Sequence, residues 1–252
     1  MKVDALILSG GKRPEKITRE GSSVRGLIEI KGKPMLDYIL AAVKSSPSID
    51  RIVLVISSTV GVRDWGSRIE VVAGNGSITQ NIQTGLNRLG EDKPVLTLAA
   101  DIPLITPQAI EDFLARCEKK EAQVYYPIIP RREVEEKFPG SKRTYVTLKE
   151  GTFTGGNLAL VIPSVIRENA SLVEDVYRLR KSPIRLARIL GLKFILKFLA
   201  RRLSLKEVEK VASQLIKAKG CAIIAPYPEI GVDVDKDSDL EAVEKLIGST
   251  SN

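Results

Sequence analysis

A chain of 252 residues with 43% hydrophobic content is long enough for one large α/β domain around a continuous core, or for two small ones. With only Cys117 and Cys221, no signal-peptide pattern at its start and no long uncharged apolar run, it is expected to be cytoplasmic, with reduced thiols and no membrane span. The absence of histidine excludes Ser-His-Asp and Cys-His nucleophile pairs and His-liganded zinc. The formal charge of +8 is local, since residues 167–219 carry a net +9 and the remainder −1.

The first strand is expected at residues 3–8, running into Ser9-Gly10-Gly11-Lys12 with Arg13 and Lys16 directly behind. Glycines let peptide N–H groups approach an anion and the cations supply charge, so this segment suits phosphate as well as an ordinary strand-to-loop turn. A helix follows at 34–43, strands at 51–56 and 69–72, a helix at 78–89 and a strand at 94–99. Thr106-Pro107 supplies an N-cap and an N1 proline for a helix over 107–117. Strands at 124–129 and 158–162 lead into a long basic stretch of helical pattern, 163–220. There Ser204-Leu205-Lys206-Glu207 is a capping box, and Ser182-Pro183 a further helix start. A strand at 222–224 and a helix at 238–246 close the chain. Strands alternating with helices imply an α/β fold: a single Rossmann-like domain with a mainly parallel mixed sheet, helices on both faces, and a helical insertion at about 163–220.

Two stricter phosphate fingerprints fail. The stretch GLIEIKGKP at 26–34 has the wrong spacing for a P-loop, and Gly74-Asn75-Gly76-Ser77-Ile78-Thr79 lacks the third glycine of a dinucleotide-binding turn. Nucleic acid is not expected as a partner, because aromatics are 5% of the chain and form no stacking pattern.

Ligands of parallel sheets bind at the carboxyl ends of strands. Asp101, at the end of the 94–99 strand, is therefore placed for a divalent cation, although a turn or cap aspartate would read the same way. Asp233 and Asp235 alternate with valine, so in an extended segment both carboxylates point to one face, where mutual repulsion calls for a cation. Asp237 and Asp239 are expected to charge the start of the last helix. Without histidine and with two cysteines, any metal is expected to be Mg²⁺ or Mn²⁺ on oxygen ligands.

The segments Leu8 to Lys12, Arg25 to Leu36, Ala100 to Leu104 and Asp233 to Leu240, in that order, resemble the motifs of a nucleotidyltransferase superfamily. Its members include the MobA-like molybdenum-cofactor nucleotidyltransferases and the sugar-phosphate nucleotidylyltransferases. The resemblance implies a GT-A-type fold and transfer of a nucleoside monophosphate from a nucleoside triphosphate, CTP or GTP favoured, with pyrophosphate released. It places Leu8, Ser9, Gly10, Gly11, Lys12 and Arg13 around the triphosphate, with Lys12 and Arg25 stabilising charge in the reaction. Asp101, with Asp233 or Asp235, would hold the metal. Gly74, Asn75, Gly76 and Asn81 would read the base, and Thr154, Gly155, Gly156 and Asn157 would border the acceptor. Glu15 stands near the usual position of an arginine in the glycine loop, and Arg25 replaces the usual lysine.

The run LKFILKFLARR at 192–202 places Lys193, Lys197 and Arg201 four residues apart among apolar residues. Such a helix packs its apolar face on the core or a second subunit, or lies on an anionic membrane surface. The second reading makes the acceptor apolar or lipid-linked and gives residues 183–202 a peripheral contact at the inner membrane face. Two other functions fit the sequence: a metal-dependent glycosyltransferase using a nucleotide sugar, and a nucleotide-binding or membrane-associated regulatory protein of weak activity.

Overall fold

The structure is a computed structural model and describes residues 1–9, 14–18, 21–57, 64–74, 76–179, 194, 197–198 and 200–249. In chain order its first half comprises β1 (Val3–Ser9), the hairpin strands β2 (Glu29–Ile30) and β3 (Lys33–Pro34), α1 (Met35–Lys44), β4 (Ile49–Ile56), β5 (Ile69–Ala73), α2 (Ile78–Leu89), β6 (Val95–Ala99) and α3 (Pro107–Glu118). The second half comprises β7 (Val124–Pro130), α4 (Arg131–Lys137), β8 (Val146–Leu148), β9 (Gly151–Gly155), β10 (Leu158–Val161), α5 (Pro163–Glu168), α6 (Ala170–Leu179), α7 (Leu205–Ile216), β11 (Gly220–Ile224) and α8 (Asp237–Ser249).

The period of two in β1 builds both faces of the sheet. Val3, Ala5 and Ile7 point into one layer and Leu6 into the other, all fully buried. In β4, Ile52, Leu54 and Ile56 share the first layer and Val53 and Val55 the second. Helices α1 and α3 cover the first layer with Leu36, Ile39, Leu40, Ile110 and Phe113, and α2 covers the second with Ile82, Leu86 and Leu89. Burying each of these large side chains contributes roughly 1.5–3 kcal/mol.

The main sheet runs β5-β4-β1-β6-β10-β7-β9-β8, with β11 beside β7. From β5 to β6 every pairing is parallel; β10 then runs antiparallel to both β6 and β7, and β9 antiparallel to β7 and β8. The chain leaves β1 toward β4 on one side and returns from β5 to β6 on the other, so a crevice opens at the carboxyl ends of β1 and β6. A single α/β domain with helices on both faces was the expected fold, and the sheet is mixed as anticipated.

Several elements are additional to the expected ones. The hairpin β2–β3 turns through Lys31 and Gly32, both at positive φ (51° and 74°). It packs Ile28 and Ile30 with Met35 against Val234, Leu240 and Val243, which brings the C-terminal segment to the mouth of the crevice. Strands β9 and β10 lie end to end along β7, yet Gly155 faces Ile128 while Leu160 faces Tyr125. Residues 156–157 therefore bulge out of the ladder.

The capping box at Ser204 and Glu207 is present, and Thr106 caps α3 ahead of Pro107. Ser182-Pro183 and most of 183–202 lie outside the described residues. Within that stretch Phe194 and Phe198 pack with Leu148, Phe153 and Leu203, and Lys197 bonds Glu207. These two aromatics serve the packing alternative. Among the described residues no helix is long and apolar enough to cross a membrane.

Candidate active site

Strands β1 and β6 end side by side, the Ala100 amide donating to the Leu8 carbonyl at 3.2 Å. Just beyond, Asp101 is 7% exposed. Its carbonyl accepts from the Val234 amide at 3.0 Å, tying the C-terminal segment to the end of β6. The segment is fixed upstream as well. The Ile230 carbonyl accepts from the Asn157 amide at 2.9 Å, and buried Glu229 pairs with Lys137 at 2.9 Å. Downstream, Asp239 accepts from the Asp235 and Lys236 amides at 3.0 and 3.1 Å, and Asp237 holds the Thr18 amide. Both aspartates thus organise the start of α8.

These anchors gather Asp101, Asp233 and Asp235, with one carboxylate oxygen from each within 4.8 Å of the others. Two arginines meet them. Arg25 bonds Asp101 through one terminal nitrogen and Asp235 through the other, at 2.8 Å in the second case. Arg143, from the loop between α4 and β8, bonds Asp233. Gly26 beside Arg25 lies close against β1 and β6: a Cβ there would stand 2.3 Å from Ser9 Oγ and 3.3 Å from Ala100 Cβ, so a larger residue would force the Ser9 side chain to move.

Among the described residues three carboxylates meet two guanidiniums here, and three polar atoms lack a partner. Asp101 Oδ1, Arg25 Nε and Arg143 Nε are all buried without a hydrogen bond. Burial pushes the Asp101 carboxyl up, Arg25 opposes that, and the charges of Asp233 and Asp235 add to it. Burial works against the Arg25 cation, but Asp101, Asp235 and Asp233 outweigh it and hold its pKa above the ordinary value.

This donor set fits Mg²⁺ or Mn²⁺. The ligand atoms are hard oxygens, one of them unsatisfied.

Of the other residues singled out from the sequence, Leu8 and Ser9 end β1, and Ser9 Oγ is buried with no partner among the described residues. Gly10, Gly11, Lys12, Arg13 and Asn75 lie outside the described residues. Gly74 donates to the Ile56 carbonyl at 2.8 Å and so sits at the end of β4. Asn81 is engaged with the loop itself: its amide oxygen accepts from the Gly76 N–H and its nitrogen donates to the Gly76 carbonyl, both at 3.3 Å. Thr154 is buried in β9, Gly155 ends that strand, and Gly156 and Asn157 form the bulge. The Asn157 side-chain nitrogen is buried with no partner among the described residues. Arg143 was not foreseen. The local stretch Ser141-Lys142-Arg143-Thr144 reads as a solvated basic loop, and only the tertiary fold carries it to Asp233.

Residues 5–218 match the family model of the MobA-like NTP transferase domain. The chain belongs to the MobA-like NTP transferase family. A hypothetical transferase from Thermus thermophilus is similar at 37% identity and a TM-score of 0.83, over 95% of this chain and 100% of that one. More distant likenesses share the fold. A CMP:2-keto-3-deoxy-manno-octonic acid synthetase complexed with CTP is 14% identical with a TM-score of 0.63, covering 99% of each chain. A nucleotidyl transferase from Methanothermobacter is 14% identical with a TM-score of 0.57, again over 99% of each. Membership makes this chain a nucleotidyltransferase, and the carboxylate trio lies beyond the ends of β1 and β6.

Proposed function

We propose that this MobA-like protein transfers a nucleoside monophosphate from CTP or GTP to an acceptor with release of pyrophosphate, using a divalent cation held by Asp101 with Asp233 and Asp235. The observation that carries the reading is the convergence of these carboxylates, with Asp101 Oδ1 unsatisfied, at the ends of β1 and β6. The CTP bound by the synthetase of like fold supports a cytidine donor within that pair. When bound, the cation supplies charge neutralisation for the phosphates and a template for their alignment.

The chain's own residues do the rest. Lys12 and Arg25 place positive charge beside the triphosphate, and Arg25 can present two terminal nitrogens bidentately to one phosphate. The bulge at Gly156–Asn157 borders the acceptor. An acceptor phosphate oxygen is already ionised near neutral pH, so in-line attack on the α-phosphorus needs no general base. That suits a chain without histidine.

The test incubates the protein with Mg²⁺, radiolabelled CTP or GTP and a set of phosphomonoesters, and follows pyrophosphate and labelled product together. Stoichiometric release of both is expected, and Asp101→Asn should lower turnover on the order of a hundredfold or more. Turnover of a nucleotide sugar without pyrophosphate would overturn the reading in favour of glycosyl transfer.

A further inference from the structure

The family motifs account for Arg25 but not for Arg143, and the two pair with different carboxylates of the trio. Arg25 comes from the turn beside β1, in the parallel half of the sheet; Arg143 comes from the loop before β8, in the antiparallel half, where the bulge at residues 156–157 lies. Arg143 is 15% exposed, with Asp233 at 10%. Its bond to Asp233 uses one terminal nitrogen, and its Nε is buried without a partner. Two further donors in the same half are in that state, the Tyr145 hydroxyl and the Asn157 side-chain nitrogen, and Arg131 lies 5.2 Å over the Tyr145 ring. The antiparallel half thus holds Arg143 and Arg131 together with buried donors that lack a partner among the described residues, a set that suits an anion. A cation seated among the three aspartates would compete with both guanidiniums for the same oxygens and leave each able to take an anionic ligand.

We propose that Arg143 grips the phosphoryl group of the acceptor, with the Tyr145 hydroxyl and the Asn157 amide as further donors. The inference rests on the nucleotidyltransferase reading above. In the step it serves, an acceptor phosphate oxygen bonds to the α-phosphorus and the bond from that phosphorus to the β-bridging oxygen breaks. The electron pair leaves with pyrophosphate, and no proton changes hands when the acceptor is dianionic. Arg25 serves the donor triphosphate and Arg143 the incoming phosphate, so one guanidinium stands on each side of the reacting centre.

Calorimetric titration of inorganic phosphate tests this, with the protein in Mg²⁺, with and without a non-hydrolysable CTP or GTP analogue. Arg143→Gln keeps a donor toward Asp233 and removes the charge. It should weaken phosphate binding at least tenfold while leaving the analogue's affinity within twofold, and Arg25→Gln should do the reverse. Arg143→Lys, which keeps the charge and loses the fork, should weaken phosphate severalfold and decides the matter if melting curves show Arg143→Gln unfolded. Equal phosphate binding in parent and variants, no phosphate binding to the parent, or an equal loss of analogue affinity in Arg143→Gln would overturn the assignment. No analogue binding to the parent would instead overturn the nucleotidyltransferase reading, and the nucleotide-free titrations would still decide Arg143.

Discussion

Arg25 and Asp101 are countercharges to each other, and both are proposed to act in the transfer. Asp101 is buried among two further carboxylates, and its carboxyl is pushed up by that burial. Replacing it with asparagine removes the repulsion and the desolvation cost while keeping its size. Asp101→Asn is therefore expected to leave unfolding free energy within about 1 kcal/mol of the parent. Arg25→Ala leaves buried Asp101 facing two half-buried carboxylates and is expected to cost on the order of 3 kcal/mol. Urea denaturation of both variants checks the contrast, and equal losses would mean that Asp101 is a structural partner only. At this scale the sequence was informative where a residue sits in a short local pattern. Asp101, Asp233 and Asp235 were legible from strand ends and alternation, and the structure brings them together. Arg143 was not, because its partner lies 90 residues away.

Among the elements, α2 illustrates packing that overrides propensity. Gly85 is buried in the helix, and a Cβ there would come within 2.2 Å of Leu6 Cδ1 and 3.1 Å of Val55 Cγ2, both side chains of the sheet core. Alanine gains about 1 kcal/mol of helix propensity over glycine, but overpacking costs about 1–3 kcal/mol. Gly85→Ala is thus expected to lower the urea midpoint, and a raised midpoint would show that the helix can lift off β1 freely.

At the start of α7, Glu207 accepts from Lys197 and from the Ser204 amide, which together hold its carboxyl down at about 2, against an ordinary 4.5. A depressed folded pKa gives stability that is present above pH 4.5 and lost as pH falls toward 2. The melting difference between parent and Glu207→Gln should therefore be present at pH 7 and shrink across that window. A difference that stays constant with pH would contradict the pairing. This capping box, like Thr106-Pro107, was legible because caps are local. The strands β2, β3 and β8 are two or three residues long, too short for a period of two to show. Strand β9 is glycine-bounded, and it is defined by its pairing with β7 more than by its own composition.

At the scale of the whole molecule, the sheet divides its labour along the line between β6 and β10. The parallel half presents β1, β6 and the Arg25 turn, and the antiparallel half presents the bulge and Arg143; the C-terminal aspartates close the gap between them. Alternation of strands and helices made the α/β class readable from the sequence. The antiparallel reversal was not readable, since β10 alone shows neither its direction nor its neighbours.

Binding of a metal–nucleotide complex by the aspartate trio is tested by a thermal-shift series. CTP, GTP, ATP and UTP are each added with and without Mg²⁺ to the parent and to Asp101→Asn. At a hundredfold excess over its dissociation constant a nucleotide stabilises by about 2.7 kcal/mol, which moves the melting temperature of a chain this size by about 5–10 °C. A Mg²⁺-dependent shift of that order with CTP or GTP, absent in Asp101→Asn, is the predicted result. No shift with any nucleotide, or the same shift in the variant, would contradict it.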